Sequence, residues 1–302
     1  MHLYLLALLV VAIWAETFVS SKILLNHGLM PADIFFMRSI IAYAGLVVLS
    51  HKRLWSDSLV HELKFLICGI TGASLYFLTE NMALKYSTAS NVAILVGTTP
   101  LMTALFLALF YKEERMNGRQ IAGSLVAFVG LTLVVLNGQL VLHLNPLGDA
   151  LALSASITWG LYSLFMKRLS QNYDARFITR KVFGYGLLTI LPWFAFVEPL
   201  NLDLEVLSQP VVWGNIIYLA LVASLFCFLV WNWLLLRLGV VKASNIIYTQ
   251  CAFTMLVSAI VLDERITWMA ILGTLILIIG MLMMEKVKSP LPASPRGGDE
   301  SM

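Results

Sequence analysis

A carboxylate in the middle of an apolar segment is the residue of this sequence best suited to chemistry. Glu16 lies within the apolar run that begins almost at Met1, where a charge facing lipid would cost about 2.5–3.5 kcal/mol. We therefore expect Glu16 to face protein or a water-filled cavity, with Thr17 and Ser20 on the same half of a helix and Trp14 at its edge. Such an acid could bind a substrate ammonium group or carry a proton, and a structural hydrogen bond is the alternative.

A second acid, Glu80, lies about one turn before the end of a later apolar run and is followed by Asn81. Two interpretations of Glu80 are open: a polar gate or proton site, and a carboxylate that reaches toward the interface or pairs with Lys85. For Asn81, a hydrogen bond between helices is the alternative to substrate binding.

Two basic residues, Lys22 and Arg38, flank the loop between the first two apolar runs. Either could attract a substrate carboxylate. Long basic side chains near helix ends commonly extend to the membrane interface. We favour this second interpretation, with Lys22 pairing to Asp33, and expect neither residue in the site.

Neutral polar side chains in other apolar runs complete the predicted substrate site. Thr98 and Thr99 precede Pro100, whose ring frees helical carbonyls that only protein or a cavity can accept within a membrane. Taken singly, each of these side chains is more often a contact between helices. The remaining candidates are Ser154, Thr158, Trp159, Tyr162, Asn245, Tyr248 and Gln250.

The composition determines which elements must position these residues. Of the 302 residues, 60% are hydrophobic and 12% are charged, whereas soluble domains carry about 25% charged residues. The sequence therefore predicts an all-α polytopic membrane protein and excludes a soluble domain, a disordered chain and a disulfide-stapled module. Apolar runs predict ten transmembrane helices, at 3–25, 32–49, 65–84, 91–111, 120–137, 147–167, 178–197, 212–236, 243–262 and 268–285.

The distribution of basic residues predicts that both termini are cytoplasmic. When ten helices are threaded through the membrane, 16 of the 20 lysines and arginines fall on the side of the N-terminus. The opposite side keeps Lys22, Arg38, Lys85 and Arg265. This asymmetry also supports an even number of helices.

Four features recur in the same order in the two halves of the chain. They are a Trp eight residues before a Lys, an Ala-Ser-Leu segment that ends in Asn, an Ala-Ser-Asn triplet, and a Glu-Arg pair whose Arg precedes a Gly by eight residues. They lie at 14–22 and 159–167, 73–81 and 223–232, 89–91 and 243–245, and 114–123 and 264–273. We interpret 1–137 and 138–285 as two five-helix repeats, inverted because five is odd, with a disordered cytoplasmic tail at 286–302.

These residues resemble the drug/metabolite transporter superfamily, in particular its ten-helix EamA-type permeases, over nearly the whole chain. The resemblance is carried by the acidic-Arg elements, by Trp14 with Lys22, Pro31 and Arg38, and by ALKYSTASNVAILVGTTPL at 83–101. It implies a permease of the bacterial inner membrane, commonly an exporter of amino acids or other small metabolites. The chain departs from the family pattern where the ninth helix usually has a Pro and Cys251 stands here.

A secondary transporter that rocks two repeats around a central cavity is therefore the favoured function. Its expected partners are a small molecule (zwitterions included), the lipid bilayer and, where an acid such as Glu16 titrates, protons. A membrane-embedded enzyme is one alternative, but all five histidines lie in or beside predicted loops and the common catalytic motifs are absent. A scaffold or sensor is the other. We expect no enzymatic activity, no cofactor or metal and, at a net charge of +3, no nucleic acid.

Overall fold

A computed structural model describes residues 2–51, 53–111, 117–136, 145–201 and 203–284. Within these ranges the chain is helical and contains no strand. The predicted tail at 286–302 and the Glu-Arg pair at 114–115 lie outside the described residues.

Ten long helical segments and a one-turn helix at Leu204–Leu207 are formed by the described residues. The long segments are α1 His2–Asn26, α2 Pro31–Leu49, α3 Leu59–Tyr86, α4 Ala89–Phe110, α5 Gly118–Leu136, α6 Pro146–Leu169, α7 Ala175–Phe196, α8 Pro210–Leu238, α9 240–261 and α10 Trp268–Met284. Six of them are long and apolar enough to cross a membrane, namely α1, α2, α3, α4, α8 and α9. The chain is thus a multi-pass membrane protein, and spanning by the other four helices stays a prediction.

Several of these helices have an N-cap residue whose side chain accepts a hydrogen bond from an amide in the first turn. The Thr88 hydroxyl accepts from the Asn91 amide at the start of α4, and the Asp174 carboxylate accepts from the Phe177 amide at the start of α7. Asn145 caps α6, in which Pro146 is the first residue. Each cap accepts a hydrogen bond from a first-turn amide that has no acceptor within the helix.

Both α3 and α8 contain a π-helical stretch, at Ile70–Ser74 and Tyr218–Phe226. Such stretches are uncommon and occur frequently at functional sites. The wider turn of α8 presents the Ala223 carbonyl to α1, where the Trp14 indole donates to it at 3.0 Å. The π-helical stretch of α8 thereby helps to fix Trp14.

Both α4 and α9 are interrupted near the middle of their length. In α4 a turn at Gly97 and Thr98 precedes Pro100, which has no amide hydrogen to continue the helix. In α9 a 3-10 turn, Ile247–Thr249, precedes Cys251. The interruption of α9 therefore forms without the proline that the family pattern carries, and the Thr249 hydroxyl bonds back to the Ile246 carbonyl at 2.8 Å.

Small residues let α5 and α10 approach each other closely. A Cβ atom on Gly280 would lie 2.3 Å from the backbone nitrogen of Ala127, and one on Gly130 would lie 2.3 Å from that of Leu277. Backbone contact of this kind stabilises helix pairs in a membrane through packing, since lipid supplies no hydrophobic force between them.

Candidate functional site

A narrow cavity lies among seven helices that come from both halves of the chain. The centres of water molecules can occupy about 30 Å³ of it, which is room for one or two waters. It is lined by Trp14, Thr17, Arg38, Tyr76, Phe77, Glu80, Val96, Thr99, Trp159, Phe228, Ile247 and Gln250.

Two opposite charges face this cavity. Arg38 of α2 is 1% exposed, and Glu80 of α3 is 2% exposed. The Arg38 Nε atom donates to the Ser224 hydroxyl at 2.9 Å, and its guanidinium carbon lies 4.3 Å from the centre of the Phe77 ring. One further atom of each charged group, Arg38 Nη1 and Glu80 Oε1, is buried with no hydrogen-bond partner in the part of the chain that the structure describes.

Aromatic rings form most of the remaining wall. The Trp14 ring centre lies 5.7 Å from that of Trp159 and 5.4 Å from that of Phe228, both edge to face. The Tyr76 ring centre lies 4.9 Å from that of Trp159. Rings packed in this way hold one another in place, so the wall can present fixed faces to the apolar part of a ligand.

Six of the predicted site residues line the cavity: Trp14, Thr17, Glu80, Thr99, Trp159 and Gln250. For Glu80, the interpretation as an interfacial carboxylate paired with Lys85 is wrong, because Glu80 is buried and the exposed Lys85 lies against the Met30 sulfur at 3.6 Å. Substrate binding by these residues stays a prediction.

Four other predicted residues are engaged in contacts between helices. The bonds are Ser20 to Asn215 (2.7 Å), Asn81 to the Pro31 carbonyl (3.1 Å), Thr98 to Ser156 (2.8 Å) and Tyr162 to Asn232 (2.8 Å). The hydrogen-bonding capacity used in these contacts is withdrawn from any ligand, so these residues position helices around the cavity.

The last neutral candidates also lie off the cavity wall. Ser154 and Thr158 donate to carbonyls within α6, each at 2.8 Å. Tyr248 is buried, and its hydroxyl has no hydrogen-bond partner within the described ranges. The side chain of Asn245 lies outside the described residues.

Glu16 is not placed in the cavity, contrary to the expectation from sequence. Its side chain is exposed on the outside of α1, where the Tyr218 hydroxyl lies 3.3 Å from its carboxylate. A helix turns about 100° per residue, so Glu16 lies about 200° away from Trp14 around the axis. Because Trp14 and Thr17 point inward, Glu16 must point outward.

Both basic residues of the first loop also differ from expectation. Lys22 donates to the carbonyls of Leu84 and Ser87 at 2.5 and 2.9 Å, rather than pairing with Asp33. Arg38 does not extend to the interface but enters the cavity. Its position about two turns inside α2, roughly 10 Å from the first residue Pro31, is the sequence signal that could have placed it there.

Two polar clusters tie the halves of the chain together at opposite ends of α3. In the Glu264 cluster (Lys22, Asn91, Asp149 and Glu264), the Glu264 carboxylate accepts from the Ala89 and Ser90 amides at 2.6 and 3.0 Å, which caps α4. Asn91 donates to Asp149 at 2.7 Å.

The Glu62 cluster consists of Glu62, Arg180, Lys181 and Tyr185. Lys181 forms an ion pair with Glu62 at 2.8 Å, and the Tyr185 hydroxyl bonds to the same carboxylate. Arg180 donates to the Ser50 carbonyl at 2.6 Å. The cluster thus joins the first turns of α3 to α7. The Glu264 cluster joins the far end of α3 to α1 through Lys22, and the start of α4 to α6 and to the segment before α10.

The helix bundle and its cavity indicate the class of protein to which the chain belongs. A bundle of apolar helices around a small, largely aromatic cavity that contains two opposite charges is typical of a membrane transport protein. No group of His, Cys, Asp and Glu that could hold a metal ion occurs in the described ranges. The sequence profile of the EamA-like transporter family matches residues 1–136 and 146–285, and the chain belongs to this family.

Named relatives span nearly the whole chain. It is 26% identical to an uncharacterized transporter of Archaeoglobus fulgidus, over 93% of this chain and 96% of that protein. It is 27% identical to a probable amino-acid metabolite efflux pump of Escherichia coli, over 91% and 92% of the two chains. A probable terminal-alkyne amino-acid exporter of Streptantibioticus cattleyicolor is 24% identical over 92% and 91%.

A solved crystal structure shares the fold. It superposes with a TM-score of 0.66 over 94% of this chain and 98% of its own, at 16% identity. Together with the family, these relatives identify the protein as a membrane transporter with a small-molecule substrate.

Proposed function

We propose that the protein exports amino acids or related small metabolites by alternating access around the central cavity. The observation that carries the proposal is the cavity itself, in which helices from both halves surround a buried Arg38 and Glu80. The printed names of the relatives in Escherichia coli and Streptantibioticus cattleyicolor support the substrate class and the outward direction.

The proposed topology has ten spanning helices in two inverted repeats at 1–137 and 138–285, with both termini on the cytoplasmic side of a bacterial inner membrane. Three observations support it. The family profile matches twice, π-helical stretches occur in both α3 and α8, and interruptions occur in both α4 and α9. The excess of basic residues on one side supports the orientation.

In this mechanism the Glu62 cluster and the Glu264 cluster open in turn. With both clusters formed, the cavity has room for only one or two waters, so it would correspond to a closed intermediate. Opening at the Glu62 end would admit substrate, and opening at the Glu264 end would release it. We expect facilitated transport or coupling to an ion gradient, with proton coupling to be tested directly.

The test is transport by purified protein in liposomes, with a panel of labelled amino acids and other small metabolites, with and without a pH gradient. We expect saturable transport of some members, and acceleration by the gradient if protons are coupled. Inactivity across the whole panel would favour a scaffold or sensor, and a rate that ignores the gradient would exclude proton coupling.

Two threonines provide a matched pair for this assay. Thr99 lines the cavity, whereas Thr132 lies on the exposed face of α5, and each hydroxyl bonds to a carbonyl of its own helix. Thr99→Val should slow transport about fivefold, the effect of roughly 1 kcal/mol. Thr132→Val should leave it unchanged, and equal effects of the two would remove Thr99 from the site.

A further inference from the structure

We infer that Arg38 and Glu80 bind the two ends of a zwitterion, Arg38 its carboxylate and Glu80 its ammonium group. This inference rests on the proposed function, which it deepens by assigning residues and charges to the substrate site. It makes both charges of the substrate a requirement for transport.

Arg38 is arranged to receive an anion. Its Nε atom is held by Ser224 and its planar face lies on the Phe77 ring, so the guanidinium cannot turn freely. Nη1 keeps an open donor although the residue is almost fully buried. A guanidinium is a planar fork of donors that matches the two oxygens of a carboxylate, and a buried donor such as Nη1 is unfavourable without an acceptor.

Glu80 carries the charge opposite to that of Arg38 and is arranged to bind a cation. Its Oε1 atom is buried without a hydrogen-bond partner in the described part of the chain, and the residue lines the same cavity as Arg38. Glu80 follows Phe77 by three residues on α3, which places both side chains on one face of the helix. Glu80 and Phe77, whose ring contacts the Arg38 guanidinium, therefore lie on the same side of α3.

The aromatic wall supports the same orientation of the ligand. An ammonium group beside Glu80 could also contact the faces of Tyr76 and Trp159, since aromatic faces attract cations. The apolar part of the substrate would then lie against Trp14 and Phe228. Since the cavity now has room only for water, binding must widen it.

The experiment uses the purified protein in liposomes and needs no variant for its main result. Every amino acid that the wild-type protein transports is compared with its methyl ester, its decarboxylated amine and its deaminated acid. We expect each analogue that lacks one charge to be transported at least about tenfold more slowly than the parent. Transport of any of these analogues at the parent's rate, after the flux into protein-free liposomes is subtracted, would overturn the inference while leaving the transport function intact.

Two variants then assign the charges to their residues. Glu80→Gln should bring the deaminated acid to within about twofold of the parent amino acid, and Arg38→Gln should do the same for the amine. Glu16→Gln and Arg237→Gln are matched controls, one exposed acid and one exposed arginine that lie off the cavity, and both should keep the wild-type discrimination. Discrimination that survives in both Glu80→Gln and Arg38→Gln contradicts the assignment.

Failure of the proposed function gives a different result. If the panel contains transported molecules but no amino acid among them, the zwitterion inference is wrong and the protein remains a transporter. If nothing is transported, the proposed function fails with it. Thermal unfolding of each variant in detergent separates loss of fold from loss of selectivity, and the wild-type comparison decides the inference if a variant does not fold.

Discussion

Asn232 connects three helices at the level of a single residue. Its side-chain oxygen accepts from the Tyr162 hydroxyl of α6 at 2.8 Å, and its amide nitrogen donates to the Thr179 hydroxyl of α7 at 2.8 Å. Because Asn232 is fully buried in α8, no water can replace these bonds when the amide is removed.

Replacement of Asn232 by Ala should destabilise the protein by about 1–3 kcal/mol, because it deprives two buried groups of a partner. The change is measured as the midpoint of thermal unfolding in detergent. Asn172→Ala is the control, since Asn172 is exposed and its side chain donates to the nearby Arg168 carbonyl, four residues away in the chain. Equal midpoints for the two variants would contradict a structural role for Asn232.

The position of Glu16 leads to a second prediction at this scale. Its carboxylate lies outside the cavity and meets the Tyr218 hydroxyl at 3.3 Å, while Tyr218 donates more closely to the Ile13 carbonyl at 2.6 Å. Glu16→Gln should therefore change the rate of transport by less than about twofold, since an amide oxygen can still accept from Tyr218. A severe loss of transport in liposomes would restore Glu16 to the mechanism.

At the scale of elements, the interrupted helices α4 and α9 meet at Gly97 and Cys251. A Cβ atom on Gly97 would lie 2.3 Å from the Cys251 sulfur, which itself lies 3.5 Å from the Ala93 carbonyl. Gly97 has a φ of −59°, an ordinary value that any residue adopts. Glycine is thus required here by the space between the helices and not by backbone strain.

Gly97→Ala should lower the unfolding midpoint, because overpacking of a well-packed contact costs about 1–3 kcal/mol. In a Cys251→Ala background the same change should be tolerated, since the sulfur that occupies the space is gone. Gly214→Ala is the control, because Gly214 also lies in a helix and a Cβ atom placed on it would have no neighbouring atom within 4 Å among those compared. The contact would be ruled out as the cause if Cys251→Ala failed to rescue Gly97→Ala.

At the scale of the whole molecule, a polar cluster lies at each end of α3, and in the proposed mechanism these two clusters close the cavity. The Glu62 cluster joins the first turns of α3 to α7, and the Glu264 cluster joins its last turn to α1 through Lys22. Alternating access requires that the two clusters break at different times. The buried Cys68 lies on α3 within the half that carries Glu62, so we expect its reactivity to respond to opening at that end.

Glu62→Gln removes the ion pair with Lys181, a loss of about 1 kcal/mol that should raise the open population about fivefold. The rate of maleimide labelling of Cys68 should rise accordingly. Glu264→Gln, which weakens the opposite cluster, should leave this rate unchanged. Similar acceleration by both variants would indicate that the two ends open together and would argue against alternating access.

The regularity of the sequence explains how much of this architecture was predictable. The apolar runs and their flanking charges predicted the helices, because membrane insertion depends on hydrophobicity summed over a local segment. The same reasoning identified Trp14, Thr99, Trp159 and Gln250 as candidates that do line the cavity. It did not find Arg38, because a basic residue two turns inside a helix resembles one that extends to the interface.

By itself, the sequence determined that this is a multi-pass membrane protein of a transporter family, since composition, repeated segments and motifs are properties of the chain alone. Only the tertiary structure decided which acid and which base face the cavity. The rotation of each helix about its axis depends on packing against several neighbours. The sequence of one helix alone therefore does not determine which of its residues face the cavity. That packing turns Glu16 outward and brings Arg38 of α2 to the same cavity as Glu80 of α3.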